Sequence, residues 1–209
     1  MFGMIIKDMF MIRNNLKSLL LAIIIYFFYT MMFDKDMSFI LPFMIMMICI
    51  STFSYDDYNN WHSFSAALPK GKINNVKSKY ITTISLTFIA AIISIICTFV
   101  ISNFKSTISF SDAISSISGY LFAIFILVSI LFPFLFKYGA EKGRIVMFIL
   151  GMGIVAIFIL LKKVLNISIP ANIITFFDYY GLIISLVLSV IFISISYLIS
   201  KKIYLNKEF

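Results

Sequence analysis

The sequence predicts an all-α membrane protein with six transmembrane helices. Of its 209 residues, 62% are apolar and only 12% are charged, whereas soluble domains contain about 25% charged residues. The apolar residues form six long runs separated by charged segments, without the alternation that membrane β-barrels need. This composition excludes a soluble globular fold, a disordered chain and a disulfide scaffold.

The N-terminal segment, residues 1–17, is predicted to be an amphipathic helix at the membrane interface. Its apolar residues recur at helical spacing, for example Phe2, Ile6 and Phe10, while Lys7 is more polar. No small-residue cleavage site follows the first apolar run, which disfavours a cleavable signal peptide. A plain membrane-surface anchor and a more specialised role are both compatible with this pattern.

The six predicted spans are 18–33, 37–53, 80–102, 113–136, 145–161 and 179–200. A helix that crosses the hydrocarbon needs roughly 20 residues, so the short first, second and fifth runs should place their flanking Lys and aromatic residues at the interface. Residues 1–209 then form a single transmembrane domain. Pro133 is expected to kink the fourth span, and Gly139 and Gly143 to ease bending or close packing after it.

The basic residues predict the orientation, because cytoplasmic loops carry an excess of Lys and Arg. Thirteen of the 17 basic residues fall on the side that contains both termini and the loops after the second and fourth spans. Both termini should therefore be cytoplasmic, in a multi-pass protein of the cell membrane. The net charge of +8 reflects this orientation and requires no nucleic-acid partner.

The acidic residues are predicted to lie outside the spans, in loops and tails. There are nine of them, and none falls within an apolar run. Ion-coupled transporters and proton pumps usually carry intramembrane ionisable residues, although each costs about 2.5–3.5 kcal/mol to insert. The sequence therefore disfavours an autonomous pump and indicates that any uphill transport takes its energy from elsewhere.

No pattern typical of catalysis or metal binding is present. His62 is the only His, and Glu141 and Glu208 are the only Glu residues, which excludes multi-His metal sites and an intramembrane Glu–Glu protease site. Gly71–Lys72 does not complete a nucleotide-binding loop, because Ile73 follows it. The chain is predicted not to be an enzyme and to hold no cofactor or metal of its own.

Two spans carry stripes of small and hydroxylated residues along one helix face. Such stripes allow close helix approach and modest hydrogen bonds in lipid, and helix packing is the preferred interpretation. A mildly polar translocation pathway or a subunit interface is the alternative. The candidate residues are Thr83, Thr87, Ser94 and Thr98 in the third span and Ser185 and Ser189 in the sixth.

The segment 54–79, between the second and third spans, is the most informative part of the chain. With 26 residues, it is far longer than the few residues that a turn between helices needs. It opens with two acids, Asp56 and Asp57, and closes with four Lys residues. The orientation predicted above places this segment on the cytoplasmic side.

A short amphipathic helix is predicted within this segment. Trp61, Phe64 and Leu68 recur at i, i+3 and i+7, which is helical spacing, and Pro69 should end the helix. The apolar face of this helix must contact either lipid headgroups or another protein. Composition alone leaves both possibilities open.

The same segment resembles the signature of ABC-2 type exporter permeases, in particular small six-span permeases of Gram-positive bacteria. The matching residues are Phe53, Ser54, Tyr55 and Asp56, then Asn60 and Trp61, then Leu68 and Pro69, and finally Ser78, Lys79 and Tyr80. The chain departs from the family pattern after Leu-Pro, where Val-Ser-Arg is frequent and this sequence has Lys70, Gly71 and Lys72. A second, less specific likeness is to permeases that export phenol-soluble modulins or give immunity to antimicrobial peptides.

The resemblance implies that the segment forms a coupling helix, which docks in a groove of a separate ATP-binding subunit. That partner, and not this chain, would bind ATP and Mg²⁺. The resemblance also implies a partly re-entrant hairpin in the extracellular segment 162–178, with Pro170 at its break. The candidate coupling residues are Asp56, Asp57, Trp61, Phe64, Leu68 and Pro69.

The sequence therefore predicts the membrane-spanning subunit of an ATP-driven exporter. Its expected partners are two ATP-binding subunits, a second copy of itself or a similar permease, and membrane lipid. The expected substrate is amphipathic: a peptide, an antibiotic or a lipid-like molecule. The main alternative is a non-transporting immunity or scaffold protein that binds a peptide or partner directly, and a membrane enzyme is a distant third.

Overall fold

The computed structural model describes residues 1–13, 15–33, 39–104, 110–165 and 171–207, and the regular structure in these ranges is all helical. The helices pack so that α6 contacts α3, α5 and α7, α5 also contacts α3 and α7, and α1 rests on α3 and α5. They are α1 (Phe2–Arg13), α2 (Leu16–Phe33), α3 (Ile40–Tyr58), α4 (Trp61–Ala67), α5 (Gly71–Phe104), α6 (Phe110–Leu165) and α7 (Ala171–Leu205).

Four stretches among the described residues are long and apolar enough to cross a membrane. The sequence prediction of an all-α class is confirmed for the described part of the chain, and these stretches agree with the predicted membrane location. By length and composition, the candidate spans are Ile40–Tyr58, Gly71–Val100, Ser116–Gly143 and Ile183–Leu205.

The helices extend beyond the predicted spans at their polar ends. α3 continues to Tyr58 and α5 begins at Gly71, so most of segment 54–79, predicted to be a loop, is helical. Those loop boundaries are wrong because hydropathy marks where side chains become polar, whereas backbone hydrogen bonding continues further. Positions 37–38 of the second predicted span and 166–170 of the predicted re-entrant segment lie outside the described residues.

The predicted fourth and fifth spans belong to one helical element, α6, which breaks at Gly139 (φ 82°, ψ 174°). A Cβ on Gly143 would collide with the Leu135 side chain and lie 3.8 Å from its Cα. In a straight helix, residues eight apart are separated by about 12 Å, so the chain folds back at the break. Pro133 keeps helical backbone angles, and the break therefore lies after the predicted position of the kink.

An aromatic core joins the ends of the packed helices. Phe53 of α3 meets Phe132 and Phe136 of α6 edge-on, with ring centroids 5.2 and 5.0 Å apart. Tyr80 of α5 lies 4.9 Å from Phe132, and Tyr204 of α7 lies 5.2 Å from Phe136. Aromatic pairs contribute about 0.5–1.5 kcal/mol each beyond the burial of their area. This core fixes the positions of the helix ends around α4.

α1 presents two different faces. Met4, Asp8 and Ile12, one turn apart, are buried against the rest of the protein. Phe2 and Phe10 are exposed, although both are large and apolar. The amphipathic pattern read from the sequence therefore corresponds to an exposed apolar face, while the face packed on the protein contains a carboxylate.

Candidate functional site

α4 is a seven-residue helix held between two tight connections. Asn60 before it and Lys70 after it have φ values of 50° and 56°, in the left-handed region that costs non-glycine residues about 1–2 kcal/mol. The Leu68 N–H donates to the carbonyl of Ser65, and the Gly71 N–H donates to that of Leu68. α4 occupies the position predicted from the apolar spacing, and strained turns determine how it enters and leaves.

Side-chain hydrogen bonds hold the inner face of α4 against α5 and α7. Trp61 Nε1 donates to Asn75 Oδ1 over 3.2 Å, and Asn75 Nδ2 donates to the Tyr204 hydroxyl over 2.9 Å. His62 Nδ1 lies 2.8 Å, and Ser65 Oγ 3.3 Å, from the same hydroxyl. Buried polar groups are costly unless they are paired, and these groups pair with one another. The network therefore fixes the orientation of α4.

Asp57 connects α4 to the break in α6. Its Oδ1 lies 2.9 Å from His62 Nε2, and its Oδ2 accepts a 2.8 Å hydrogen bond from the Ala140 N–H. The helical segment after Gly139 begins at Ala140, so the carboxylate caps a helix N-terminus, where a negative charge is favourable. Asp57 thus stabilises the fold around α4, a role that its position in the sequence did not indicate.

Gly139→Ala is expected to lower the thermal stability of the purified protein. The substitution places a Cβ at a φ of 82° and 3.2 Å from Asp57 Oδ2, and the backbone conformation alone, which is essentially restricted to glycine, should cost about 1–3 kcal/mol. Gly119→Ala is the matched control, because a Cβ there meets nothing within 4 Å and Ala favours a helix. Equal unfolding temperatures for the two variants would contradict the assigned break.

A buried cluster of four charges joins α1, α3 and α5. Lys79 Nζ lies 2.9 Å from Asp8 Oδ1 and 2.7 Å from Asp56 Oδ2, and it donates to Thr52 Oγ1 over 2.8 Å. Lys7 Nζ donates to Asp56 Oδ1 and lies 3.2 Å from Asp8 Oδ1. Two ammonium groups and two carboxylates therefore neutralise one another. We call these four residues, Lys7, Asp8, Asp56 and Lys79, the charge cluster.

Lys7 links the charge cluster to α4. Its Nζ lies 4.2 Å from the centre of the Trp61 ring, within the range of a cation–π contact. Burial, followed by repulsion from the Lys79 ammonium, lowers the pKa of Lys7. The Trp61 ring in turn packs on Phe64, with centroids 5.2 Å apart. α1 and α4 are thus in direct contact, so a displacement of one acts on the other.

The charge cluster corrects the predicted location of Asp56. Asp56 was expected in a loop as a contact of an ATP-binding subunit, but it lies in α3 and is 0% exposed. Asp8 lies in α1, within the N-terminal segment predicted to be helical, but on the face that packs against the protein. Two features of the sequence indicate such a cluster. Asp8 lies among the apolar residues of α1, and Lys79 lies at the start of an apolar run. Neither signal shows which charges meet.

The outer face of α4 presents apolar side chains to the surroundings. Phe64 is 57% exposed, Leu68 39% and Tyr58, just before α4, 86%. Pro69 is also exposed, whereas Trp61 is half-buried. We call Tyr58, Phe64, Leu68 and Pro69 the α4 outer face. A cleft of about 410 Å³ adjoins it, with walls that include Met1, Met4, Trp61, Leu68 and Asn74.

The hydroxyl stripe of α5 faces the protein interior. Its four predicted residues are at most 2% exposed: Thr83, Thr87, Ser94 and Thr98. In α7, Ser189 is buried and donates to the carbonyl of Leu186, while Ser185 is half-buried. The α5 stripe therefore lies at helix contacts within the chain. Across the described ranges, no group of three or more His, Cys, Asp or Glu side chains could hold a metal ion.

Comparison with known families relates the whole helical assembly to transport proteins. The chain matches a family described as "ABC-2 family transporter protein" over residues 3–205. The matched region runs from the second residue of α1 to the end of α7, and so includes α4 and the charge cluster. No curated protein and no solved structure matches the chain.

Proposed function

The chain belongs to the ABC-2 transporter family, and on this basis we propose that it exports an amphipathic substrate with energy from a separate ATP-binding subunit. Family membership makes the chain a membrane permease subunit with an ABC ATP-binding subunit as its partner. The proposal adds the direction of transport, the substrate class and α4 as the docking helix. A peptide, an antibiotic or a lipid-like molecule is the expected substrate.

The α4 outer face is the observation that carries this proposal. Phe64 and Leu68 are large apolar side chains exposed near the end of the helical assembly, and clustered exposed apolar groups are typical of interaction sites. Behind them, α4 is fixed to α5 and α7 through Asn75 and Tyr204. A partner that pushes on the outer face would therefore move the ends of the membrane helices rather than a loose loop.

We also propose six membrane-spanning segments with α4 on the cytoplasmic side. The six are α2, α3, α5, α7 and the two parts of α6 on either side of Gly139. The excess of Lys and Arg favours a cytoplasmic location for both termini and for the loops after the second and fourth spans.

Contacts in the structure support this orientation, because both termini and the connections after the second and fourth spans meet at one end of the helical assembly. Asp57 beside α4 binds the N–H of Ala140 at the break in α6. Lys207, after α7, donates to the carbonyl of Phe136, and Lys72 donates to the carbonyl of Lys207. Lys7 of α1 reaches the same end of α3 through the charge cluster. The exposed apolar face of α1 suits the membrane surface on this side.

Thiol labelling checks the orientation. In a variant without native Cys, Asn74→Cys and Asn206→Cys should resist an impermeant thiol reagent in intact cells, whereas Asp36→Cys and Asn172→Cys should react. All four should react after the membrane is permeabilised. Reaction of Asn74→Cys in intact cells would contradict a cytoplasmic α4 and, with it, docking at the α4 outer face.

Co-expression with the cognate ATP-binding subunit tests the function itself. The chain should co-purify with that subunit and stimulate its ATP hydrolysis. Export should continue after the proton gradient collapses while ATP is maintained, because none of the six predicted spans contains an Asp, Glu, Lys, Arg or His residue that could couple transport to protons. Transport by the chain alone, driven by a proton gradient, would contradict the proposal. Absence of any ATPase partner would favour an immunity or scaffold protein.

A further inference from the structure

Two grooves run along the lateral surface of the helical assembly, one on each side of α7. The α5/α7 groove, of about 360 Å³, includes Lys77, Ile81, Ile84 and Tyr197 among its lining residues. The α6/α7 groove, of about 370 Å³, includes Ile130, Phe134, Lys137 and Tyr138. Each groove thus combines one lysine and at least one tyrosine with a wall of large apolar side chains.

The lysines lie at the same end of both grooves. On α5, Lys77 comes first and Ile81 and Ile84 follow one and two turns further from α4. On α6, Ile130 comes first and Lys137 lies two turns later, just before the break at Gly139. Since that break binds Asp57 beside α4, both lysines face the end of the molecule that contains α4.

These two lysines differ from those of the charge cluster in their surroundings. Lys77 and Lys137 are exposed, and within the described part of the chain neither forms an ion pair. Lys137 Nζ lies 4.9 Å from the centre of the Tyr138 ring. Lysine and tyrosine side chains with an apolar stem and a polar tip are typical of the level of lipid headgroups.

We propose that each groove binds one anionic phospholipid of the cytoplasmic leaflet, with its phosphate at the lysine and an acyl chain along the apolar wall. The location in that leaflet rests on the proposed orientation of the permease. A charged end and a long apolar wall correspond to the two parts of a phospholipid. A second protein helix is a poorer fit, because helices in membranes pack closely through small residues, whereas each of these grooves has a single serine among mainly large apolar and aromatic side chains.

Native mass spectrometry of the full chain in detergent tests this proposal with dioleoyl-phosphatidylglycerol as the probe. Two molecules should remain bound under conditions that remove dioleoyl-phosphatidylcholine. Lys77→Gln and Lys137→Gln should each weaken one site about fivefold, the expected effect of one lysine at an anionic membrane surface, and the double variant should weaken both. Lys142→Gln, which removes an exposed lysine outside the two grooves, is the matched control.

Two further measurements distinguish lipid binding in the grooves from non-specific electrostatic attraction of anionic lipid to the protein. Ile130→Trp should exclude lipid from the α6/α7 groove without changing any charge, and glycerol 3-phosphate, which lacks acyl chains, should not displace the lipid. Equal loss of lipid in the Lys142→Gln control, unchanged binding in the double variant, or a lipid-free homodimer would overturn the proposal. The lysine variants should still bind the ATP-binding subunit, so failure of lipid binding and failure of docking at α4 are distinguishable.

Discussion

Lys79→Ala is expected to lower the free energy of unfolding by about 3–5 kcal/mol, because removal of one partner leaves uncompensated charge in the interior. Lys79 is 1% exposed and contacts both Asp8 and Asp56. Without its ammonium group, only Lys7 would remain to balance two buried carboxylates. The expected result is a large fall in unfolding temperature and in the amount of purified protein, with α1 detached from α3 and α5.

A double variant separates the loss of charge balance from the loss of packing. Asp8→Leu with Lys79→Met removes one opposite pair together and leaves Lys7 paired with Asp56. Replacement of a buried ion pair by apolar groups of similar volume is often neutral or stabilising, so most of the lost stability should return. Asp8 suits this exchange because its Oδ2 is buried without a hydrogen-bond partner among the described residues. Wild-type stability of Lys79→Ala would contradict the charge cluster.

The helices could be predicted from the sequence because a lipid bilayer restricts the backbone to few conformations. A backbone in the hydrocarbon must satisfy its own hydrogen bonds, and every described residue of the six predicted spans except Phe39 is helical. The break in α6 was harder to locate. Pro133 is conspicuous in the sequence, but the chain folds back at Gly139, where a positive φ is combined with a remote cap from Asp57. Local sequence cannot show such a cap.

The candidate site was predictable as a segment but not as a set of contacts. The spacing of Trp61, Phe64 and Leu68 predicted α4, yet only the structure shows that Trp61 turns partly inward to Asn75 and Lys7. Such partners come from helices distant in the chain, which residue spacing cannot reveal.

The adjacent acids of this segment illustrate the same limit. Consecutive helical residues project about 100° apart, so Asp56 reaches α1 and α5 while Asp57 reaches α4 and α6. The Ala140 partner of Asp57 is 83 residues away in the chain. Adjacency in the sequence therefore suggested one shared role where the structure shows two.

The second large effect is expected at the α4 outer face. Phe64→Ala with Leu68→Ala should weaken association with the ATP-binding subunit about 30-fold or more, since large apolar anchors at an interface typically contribute at least about 2 kcal/mol. Both side chains are exposed in the single chain, so the fold should be retained. Trp61→Ala is a less specific test, because it also removes the hydrogen bond to Asn75 and the contact with Lys7.

A matched control makes the same chemical change elsewhere. Leu188→Ala with Phe192→Ala removes one leucine and one phenylalanine of similar exposure from the surface of α7, away from the α4 outer face. Both double variants lose the same apolar groups, so a general effect on expression or detergent behaviour should appear in both. Unfolding temperatures of the purified permeases verify that each variant is folded.

The dissociation constant of the ATP-binding subunit from the purified permease tests the central claim, docking at α4, most directly. The wild type and the α7 control should bind with the same affinity, whereas Phe64→Ala with Leu68→Ala should bind about 30-fold or more weakly. ATP hydrolysis stimulated by the permease should fall in parallel. Undiminished binding by the folded α4 variant would contradict docking at this helix and would assign its apolar face to lipid headgroups.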